Sequence, residues 1–448
     1  MRKIRLILAI LACKSGILLS KILKKGGSSM PGALAMKICP DILGILSRQV
    51  KKEIIAVCGT NGKTTTNNLI YSFLTENGYD VICNNVGANM LPGVCCAFAA
   101  KATISGKIKS DFACLEIDEA SAVRVFAKMS PHKMIITNLF TDQLDRYGEV
   151  EKTAELLKKA LNLTPETELI INGDDPNVTH IGTGRKCYYI GIDEETKTNS
   201  EIDENSLCPI CGEKLSYDFR HYSQLGKYFC ENCGYKRPEL YFKISDATSS
   251  SGLKFNLSVG EKTFPFDINY KGFYNIYNVA TSFAAAYLMM GKVENYGNIL
   301  ASYKPQTGRM EEFYIGKKVI LNMSKNPAGF NQGIAAVMTD EKPKDVAIMV
   351  NDTPADGIDI SWLWDVDFER LHNANIRSII ISGTRADDIA VRFKYGDFDE
   401  KILKKAPTIK DAYEMIQNGD GEVCYCLANY TSTFKIREIL AEKEGGTK

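Results

Sequence analysis

The stretch that decides the fold is Ile54-Ile-Ala-Val-Cys-Gly-Thr-Asn-Gly-Lys-Thr-Thr-Thr66. Its apolar start predicts a strand, and the helical stretch 67–74 follows its two glycines. Glycines let backbone N–H groups approach phosphate oxygens, a lysine adds positive charge, and a threonine offers its hydroxyl to Mg²⁺. We therefore expect a phosphate loop in an ATP-dependent enzyme, formed by Gly59, Thr60, Asn61, Gly62, Lys63, Thr64 and Thr65. The alternative is a glycine turn with an incidental lysine, since Val57 stands where the common pattern has its first glycine.

Around this loop, apolar runs alternate with helical patterns from about residue 49 to 195, the rhythm of a parallel sheet. The predicted strands are Ile54–Val57, Val81–Asn84, Phe112–Ile117, Met134–Thr137 and Glu168–Ile171. Residues 241–270 alternate as antiparallel strands do, and 278–290 predict an alanine-rich helix. A second pattern has strands at Val319–Asn322, Asp345–Asn351, Ser378–Ser382 and Val423–Leu427. The predicted fold class is α/β, with a central parallel-sheet domain followed by a smaller Rossmann-like α/β domain.

The composition is that of a globular protein without a strong charge bias. The chain has 448 residues, enough for two or three domains, and a net charge of +1. That charge gives no general attraction to nucleic acid. The 14 cysteines fit reduced thiols in the cytoplasm better than a disulfide framework, because most of them lie scattered in apolar segments.

The N-terminal segment predicts an amphipathic helix, with a linker at 26–32. On a helical wheel, five lysines share one sector and five large apolar residues lie away from it: Lys3, Lys14, Lys21, Lys24 and Lys25, against Ile4, Leu8, Leu11, Leu18 and Ile22. The apolar run is too short for a lipoprotein signal, and no stretch qualifies as a spanning helix. Two interpretations stay open: the helix packs on the neighbouring domain, or it lies on an anionic membrane surface.

Two Cys-x-x-Cys pairs interrupt the α/β pattern, at Cys208, Cys211, Cys230 and Cys233. Each pair can hold one side of a tetrahedral Zn²⁺, and the residues between the pairs can form a hairpin that closes the site. Four thiolates leave no open coordination position, so the predicted metal is structural. We expect a zinc ribbon inserted at about 201–240, as a scaffold or facing substrate. Unpaired surface cysteines are the alternative.

Carboxylates end one predicted strand, in the run Leu115-Glu-Ile-Asp-Glu119. A strand end beside a phosphate loop is a common place for a carboxylate that binds Mg²⁺. A second polar run, 138–146, follows the next strand. A solvated loop is the alternative for either run alone.

Taken in order, these motifs resemble the ATP-binding signatures of the Mur ligases. The resemblance covers about residues 49–310 and is carried by residues 59–65, Glu116, 138–146, Asn172-Gly-Asp-Asp175, Asn275-Ile-Tyr-Asn278 and Gly308-Arg309. It implies an ATP-dependent carboxylate–amine ligase that works through an acyl phosphate. By position it implies that Lys63 and Thr64 serve phosphate and Mg²⁺, Glu116 is the Mg²⁺ carboxylate, Asn278 lies on the adenine side and Arg309 lies near the γ-phosphate.

Two positions depart from that family. Histidine is usual where this chain has Gln143 and Tyr274, and the first departure puts a standard second Mg²⁺ site in doubt. Lys158 is only a loose match to the carbamylated lysine of the members that add amino acids.

A narrower resemblance, to the Mur-ligase-like synthetase subunit of lipid II isoglutaminyl synthase, spans nearly the whole chain. It is carried by the zinc ribbon and by residues 322–329, 351–362 and 383–386. It implies amidation of the D-glutamate α-carboxylate in the lipid II stem peptide to D-isoglutamine, with ammonia from a GatD-like class I glutamine amidotransferase. It also implies that Asp359 completes the partner's Cys–His pair as an orienting carboxylate. A loop cap or turn residue is the alternative role for Asp359.

The predicted organisation has three parts. Residues 1–48 are an amphipathic helix and linker, 49–305 an ATP-binding domain, and 306–448 a C-terminal domain that contacts the glutaminase. ATP, Mg²⁺ and structural Zn²⁺ are the expected cofactors, in the cytoplasm or at the inner face of the membrane. Two other functions stay open: a Mur or folylpolyglutamate-type ligase that adds an amino acid directly, and a nucleic-acid-binding ATPase, which the neutral charge disfavours.

Overall fold

The structure, a computed structural model, describes residues 2–22, 29–84, 88–140, 150–196, 206–249, 252–303 and 308–445. The described strands form a nine-stranded sheet, a six-stranded sheet and a two-stranded hairpin. Among the described residues, no helix is both long and apolar enough to cross a bilayer.

The nine-stranded sheet and its helices come first in the chain and form the first unit. Their elements are α1 (Arg2–Ile22), α2 (Ser29–Ile38), α3 (Ile42–Ser47), β1 (Glu53–Cys58), α4 (Lys63–Glu76), β2 (Val81–Cys83), α5 (Leu91–Lys101), β3 (Phe112–Glu116), α6 (Glu119–Phe126), β4 (Lys133–Ile136), α7 (Val150–Asn162), β5 (Glu168–Asn172), α8 (Pro176–Ile181), β6 (Cys187–Ile192), the hairpin β7 (Ser216–Tyr222) and β8 (Leu225–Phe229), β9 (Phe242–Thr248), β10 (Leu253–Val259), β11 (Lys262–Ile268), α9 (Asn275–Met290) and α10 (Tyr296–Ser302).

This sheet has the order β11-β10-β9-β6-β5-β4-β1-β3-β2. Pairing is parallel from β2 to β9, and β10 runs antiparallel to both of its neighbours. Alternate residues of β1 pack into different apolar clusters, Ile54 and Ala56 into one and Ile55 and Val57 into the other. Both faces of the sheet are therefore covered, as its continuous apolar strands require. The predicted strands of this sheet are confirmed to within about one residue at each end.

The predicted linker at 26–32 is wrong in its second half. Residues 29–32 begin α2, and residues 26–28 lie outside the described residues. Pro31 and Gly32 are buried in this helix, and a Cβ on Gly32 would lie 1.8 Å from the Pro92 carbonyl oxygen of α5. The glycine thus allows two helices to approach closely. From the sequence alone, such a glycine-containing segment cannot be told from a flexible linker.

The second unit contains the six-stranded sheet, with the order β12-β13-β17-β14-β15-β16. Its elements are β12 (Glu311–Tyr314), β13 (Lys318–Met323), α11 (Pro327–Met338), β14 (Lys344–Met349), 3₁₀ turns at Ser361–Asp365 and Phe368–Asn373, β15 (Ile376–Ser382), α12 (Ala386–Tyr395), a 3₁₀ turn at Glu400–Ile402, β16 (Leu403–Lys405), α13 (Ile409–Gln417), β17 (Val423–Ala428) and α14 (Tyr430–Gly445). All pairs are parallel except β12 with β13. The predicted second α/β pattern is therefore confirmed.

Candidate functional site

The predicted phosphate loop lies between β1 and α4. Gly59 and Gly62 have φ values of +121° and +84°, which residues with a side chain rarely adopt. Both also have close neighbours, because a Cβ on Gly59 would lie 2.2 Å from Thr137 Oγ1, and one on Gly62 would lie 2.2 Å from Asn278 Oδ1. The loop conformation therefore requires both glycines, and it brings Asn278 of α9 against the loop.

The segment after β4 supports the loop from one side. The Thr60 N–H donates to the Asn138 carbonyl (2.9 Å) and the Asn61 N–H to Asn138 Oδ1 (2.9 Å), while Thr137 Oγ1 donates to the Asn61 carbonyl (2.7 Å). The backbone amides of Thr60 and Asn61 therefore already donate hydrogen bonds within the protein. The amides at the start of α4 have no carbonyl one turn earlier in the helix to bond, and they lie at its positive end, which suits a phosphate.

Lys63 is paired with a carboxylate that sequence reasoning did not single out. Its Nζ lies 3.0 Å from Glu119 Oε1, and the two side chains are only 11% and 6% exposed. The same oxygen accepts the Gly59 N–H at 2.7 Å, and Lys63 also donates to the carbonyls of Gly59 and Thr60. Glu119 thus orients the lysine over the loop. The one feature of the sequence that points to Glu119 is its place in the acidic run 115–119.

Glu116 has the surroundings expected of a cation ligand. It pairs with Val57 across β1 and β3, and Asn84 holds its backbone, accepting its N–H (2.9 Å) and donating to its carbonyl (2.7 Å). Asn89 donates to Oε1 at 3.1 Å, whereas Oε2 is buried and has no hydrogen-bond partner in the described part of the chain. Buried carboxylate oxygens normally have a partner, so these residues fit a bound Mg²⁺. Neither asparagine was predicted.

Tyr274 immediately precedes α9. Burial raises the pKa of Tyr274, and the positive charge of Arg309 opposes that rise. Asn278 is one turn further along α9, at the loop. Residues 141–149, which include Gln143 and most of the predicted polar run, lie outside the described residues.

The second unit also reaches the loop. Asn326 caps α11, because its Oδ1 accepts the Gly329 N–H at 2.8 Å. Its Nδ2 donates to Asn61 Oδ1 at 3.3 Å. The segment 322–329 that carried part of the sequence resemblance therefore opens a helix beside the candidate phosphate site.

The four predicted cysteines form one cluster. Their sulfur atoms all lie within 4.8 Å of one another, with Cys208–Cys233 and Cys211–Cys230 at 3.5 Å. Tetrahedral Zn–S bonds of about 2.3 Å place sulfurs about 3.8 Å apart, so the donor set fits zinc. The backbone N–H of Glu213 lowers the pKa of Cys211 to about 6, whereas burial raises the pKa of Cys208.

The hairpin that carries this cluster is fixed to the first unit. Gln224 Nε2 donates to the Leu139 carbonyl at 2.8 Å, and the Leu139 N–H donates to Asp175 Oδ2 at 2.8 Å. Asp175 is buried, and burial raises its pKa to about 6. The Tyr235 hydroxyl adds a hydrogen bond to Thr179 (2.6 Å) on α8. The inserted ribbon therefore packs against the segment that supports the phosphate loop.

Asp359 lies in the loop after β14. Its Oδ1 accepts the Ser361 N–H at 2.8 Å, which is the capping role that the sequence left open. Among the described residues its Oδ2 makes no hydrogen bond. The exposed side chains of Ile358, Trp364 and Tyr395 lie on the same unit, and the two rings are in contact, 5.6 Å between centroids.

Comparisons with known proteins agree with this geometry. The Mur ligase middle domain matches residues 57–286, and the MurT ligase C-terminal domain matches residues 323–433. The fold is similar to that of a pseudomurein peptide ligase type C from Methanothermus fervidus (TM-score 0.70, 24% identity, 89% of this chain and 80% of that one). It is also similar to MurF from Acinetobacter baumannii (TM-score 0.66, 15% identity, 91% and 80%). Fold and site thus define a Mur ligase-type, ATP-dependent enzyme.

Full-length relatives narrow the assignment. The chain is 34% identical, over 95% of its length and 96% of theirs, to the MurT subunit of lipid II isoglutaminyl synthase from Staphylococcus aureus strain COL. It is 33% identical to that subunit from Streptococcus pneumoniae R6, over 93% of each chain. The chain belongs to the MurT family.

Proposed function

We propose that this chain is the synthetase subunit that amidates the α-carboxylate of D-glutamate in the lipid II stem peptide, giving D-isoglutamine for peptidoglycan synthesis. The observation that carries the proposal is the similarity to MurT subunits over 95% of the chain. The phosphate loop and the Glu116 environment supply the chemistry that such a reaction needs.

A carboxylate is a poor acyl donor, and transfer of the γ-phosphoryl group of ATP, with release of ADP, would turn it into an acyl phosphate. A bound Mg²⁺ would neutralise phosphate charge during this transfer. The N–H groups at the start of α4 would bind phosphate oxygens. Lys63 would neutralise the developing charge, Thr64 and Glu116 would hold Mg²⁺, and Arg309 would stabilise the transferring group. Asn278 serves the adenine side. The cysteine cluster holds a structural Zn²⁺.

The nitrogen comes from a GatD-like class I glutamine amidotransferase, and Asp359 orients its histidine. The geometry is compatible with this role because capping Ser361 uses one carboxylate oxygen and leaves the other. The exposed Trp364–Tyr395 pair on the same unit is the kind of aromatic surface that protein interfaces use. None of the fourteen cysteines forms a disulfide, which fits an enzyme of the reducing cytoplasm.

The test is reconstitution of the purified chain with a GatD-like glutaminase, lipid II, ATP, Mg²⁺ and glutamine. We expect mass spectrometry of the stem peptide to show one hydroxyl replaced by an amino group. Ammonium salts should replace glutamine and partner. A product that carries a whole added amino acid would instead support the direct-ligase alternative.

A further inference from the structure

Helix α1 has two apolar faces, and the first unit covers only one of them. The buried face packs on α2 and α5, with Cys13 Sγ 3.7 Å from Cys96 Sγ, and Leu6 lies against Gly106. Lys14 Nζ donates to the Ala100 carbonyl at 2.8 Å. These contacts fix the rotation of the helix about its axis.

The opposite face is a stripe of large apolar side chains, each between 39% and 68% exposed: Ile4, Leu8, Leu11, Leu18, Leu19 and Ile22. At about 100° per residue, these six fall within roughly 100° of the helical wheel. Single exposed apolar residues are common, but a continuous stripe marks an interaction surface. Helix α2, packed beside α1, adds exposed Met30 and Leu34 with Lys37 at matching helical spacing.

Basic residues border this stripe. Lys3 and Lys14 follow one edge of it on the wheel, and Arg5 follows the other. Residues 1–40 contain eight lysines and arginines and no acidic residue; the remaining 47 basic and 54 acidic residues give the rest of the chain a net charge of −7. The positive charge is therefore concentrated in the segment of the sequence that carries the exposed apolar face.

An anionic lipid surface complements both features. Its acyl boundary accepts the leucine stripe, and its headgroups attract the flanking cations and repel the rest of the chain. A second copy of the chain fits less well, because an isologous contact would bring the two basic borders together.

We infer that α1, with α2 beside it, binds the surface of an anionic bilayer with its axis in the membrane plane. The role of this contact rests on the proposed function: it would keep the phosphate loop beside a substrate that is anchored in the same bilayer. Binding of this kind needs no membrane-spanning segment.

The experiment is flotation of the full chain with phosphatidylcholine vesicles and with mixed phosphatidylglycerol–phosphatidylcholine vesicles. We expect binding to the mixed vesicles that salt weakens, and about tenfold weaker binding for the double variant Leu8→Glu/Leu18→Glu. Leu163→Glu, an exposed leucine just beyond α7, is the matched control and should bind normally. Thermal melts of all three proteins should coincide, since every changed side chain is exposed.

Absence of wild-type binding to mixed vesicles, or equal binding by the double variant, would overturn the inference. The inference would also be overturned if the double variant bound vesicles normally but no longer self-associated in light scattering, or no longer co-purified with the glutaminase. The stripe would then be a protein interface. Amidation of a short-chain, water-soluble lipid II analogue separates the two proposals. If vesicles bind but neither lipid II nor the analogue is amidated, the proposed function fails and the membrane surface stands.

Discussion

Lys63 and Glu119 form a nearly buried ion pair, so replacing one of them leaves the other without its oppositely charged partner. Lys63→Ala should lower kcat about 10²–10³-fold, because the developing phosphate charge loses its cation. It should also lower the melting temperature, since Glu119 keeps a buried charge without its partner. Steady-state kinetics and thermal melts measure the two effects.

The double variant Lys63→Ala/Glu119→Gln separates the effect on activity from the effect on stability. Glutamine still accepts the Gly59 N–H but carries no charge, so stability should return while activity stays low. Near-normal turnover in Lys63→Ala would remove the lysine from the proposed chemistry.

Asp359 allows a test that leaves its turn intact. Asp359→Asn keeps an acceptor for the Ser361 N–H and loses the charge that stabilises an imidazolium, so glutamine hydrolysis by the saturating partner should fall by at least about tenfold. Ammonium salts should restore amidation. Asp359→Ala, which removes the cap as well, controls for stability. Equal hydrolysis rates with wild-type and Asp359→Asn would leave Asp359 as a turn residue only.

Residues whose placement depends on local spacing could be located from the sequence: the glycines and Lys63 of the loop, and the four cysteines. Glu119, Asn84 and Asn89 could not be assigned their contacts. They reach the loop or Glu116 from separate strand ends, and their partners depend on how β1, β2 and β3 are ordered in the sheet. Gln224 was missed for the same reason, since its partner Leu139 lies 85 residues away.

Among the elements, the hairpin β7–β8 tests whether the ribbon is a scaffold. Elemental analysis should find about one zinc per chain, and Cys208→Ser should lose it, with a melting temperature lower by about 5 °C or more. Amidation should fall too, because Gln224 then no longer holds the Leu139 segment. Cys187→Ser, a half-buried cysteine outside the cluster, should retain zinc and activity. Zinc-free wild-type protein would contradict the assignment.

Strands with continuous apolar runs were predicted well, because a strand buried on both faces has a clear composition. Strand β6 was not predicted, although it joins the parallel strands to the antiparallel ones. Its run Cys-Tyr-Tyr-Ile-Gly-Ile is short, and its place depends on pairing with Phe242 and Ile244 beyond the ribbon. The start of α2 was missed because its proline and glycine serve helix packing.

For the molecule as a whole, the hydrogen bond between Asn326 and Asn61 joins the two units at the phosphate loop. Asn326→Asp keeps the cap on α11 but removes the donor and adds negative charge beside the phosphates. We expect KM for ATP to rise about five- to tenfold, with the free energy of unfolding changed by less than about 0.5 kcal/mol. Asn326→Ser, which caps without the charge, should show a smaller rise. Unchanged kinetics in both variants would mean that the contact does not matter for turnover.

The bonds from Thr60 and Asn61 to Asn138 have a consequence for the nucleotide-free protein. Fixing one residue's backbone costs about 1–2 kcal/mol of conformational entropy, and these hydrogen bonds supply that ordering from within the protein. The amide protons of Thr60 and Asn61 should therefore exchange slowly with deuterium in the free protein, and addition of nucleotide should slow the exchange of the amides at the start of α4. Residues 60 and 61 are thus held in place by the protein itself, and the start of α4 should gain protection from the nucleotide.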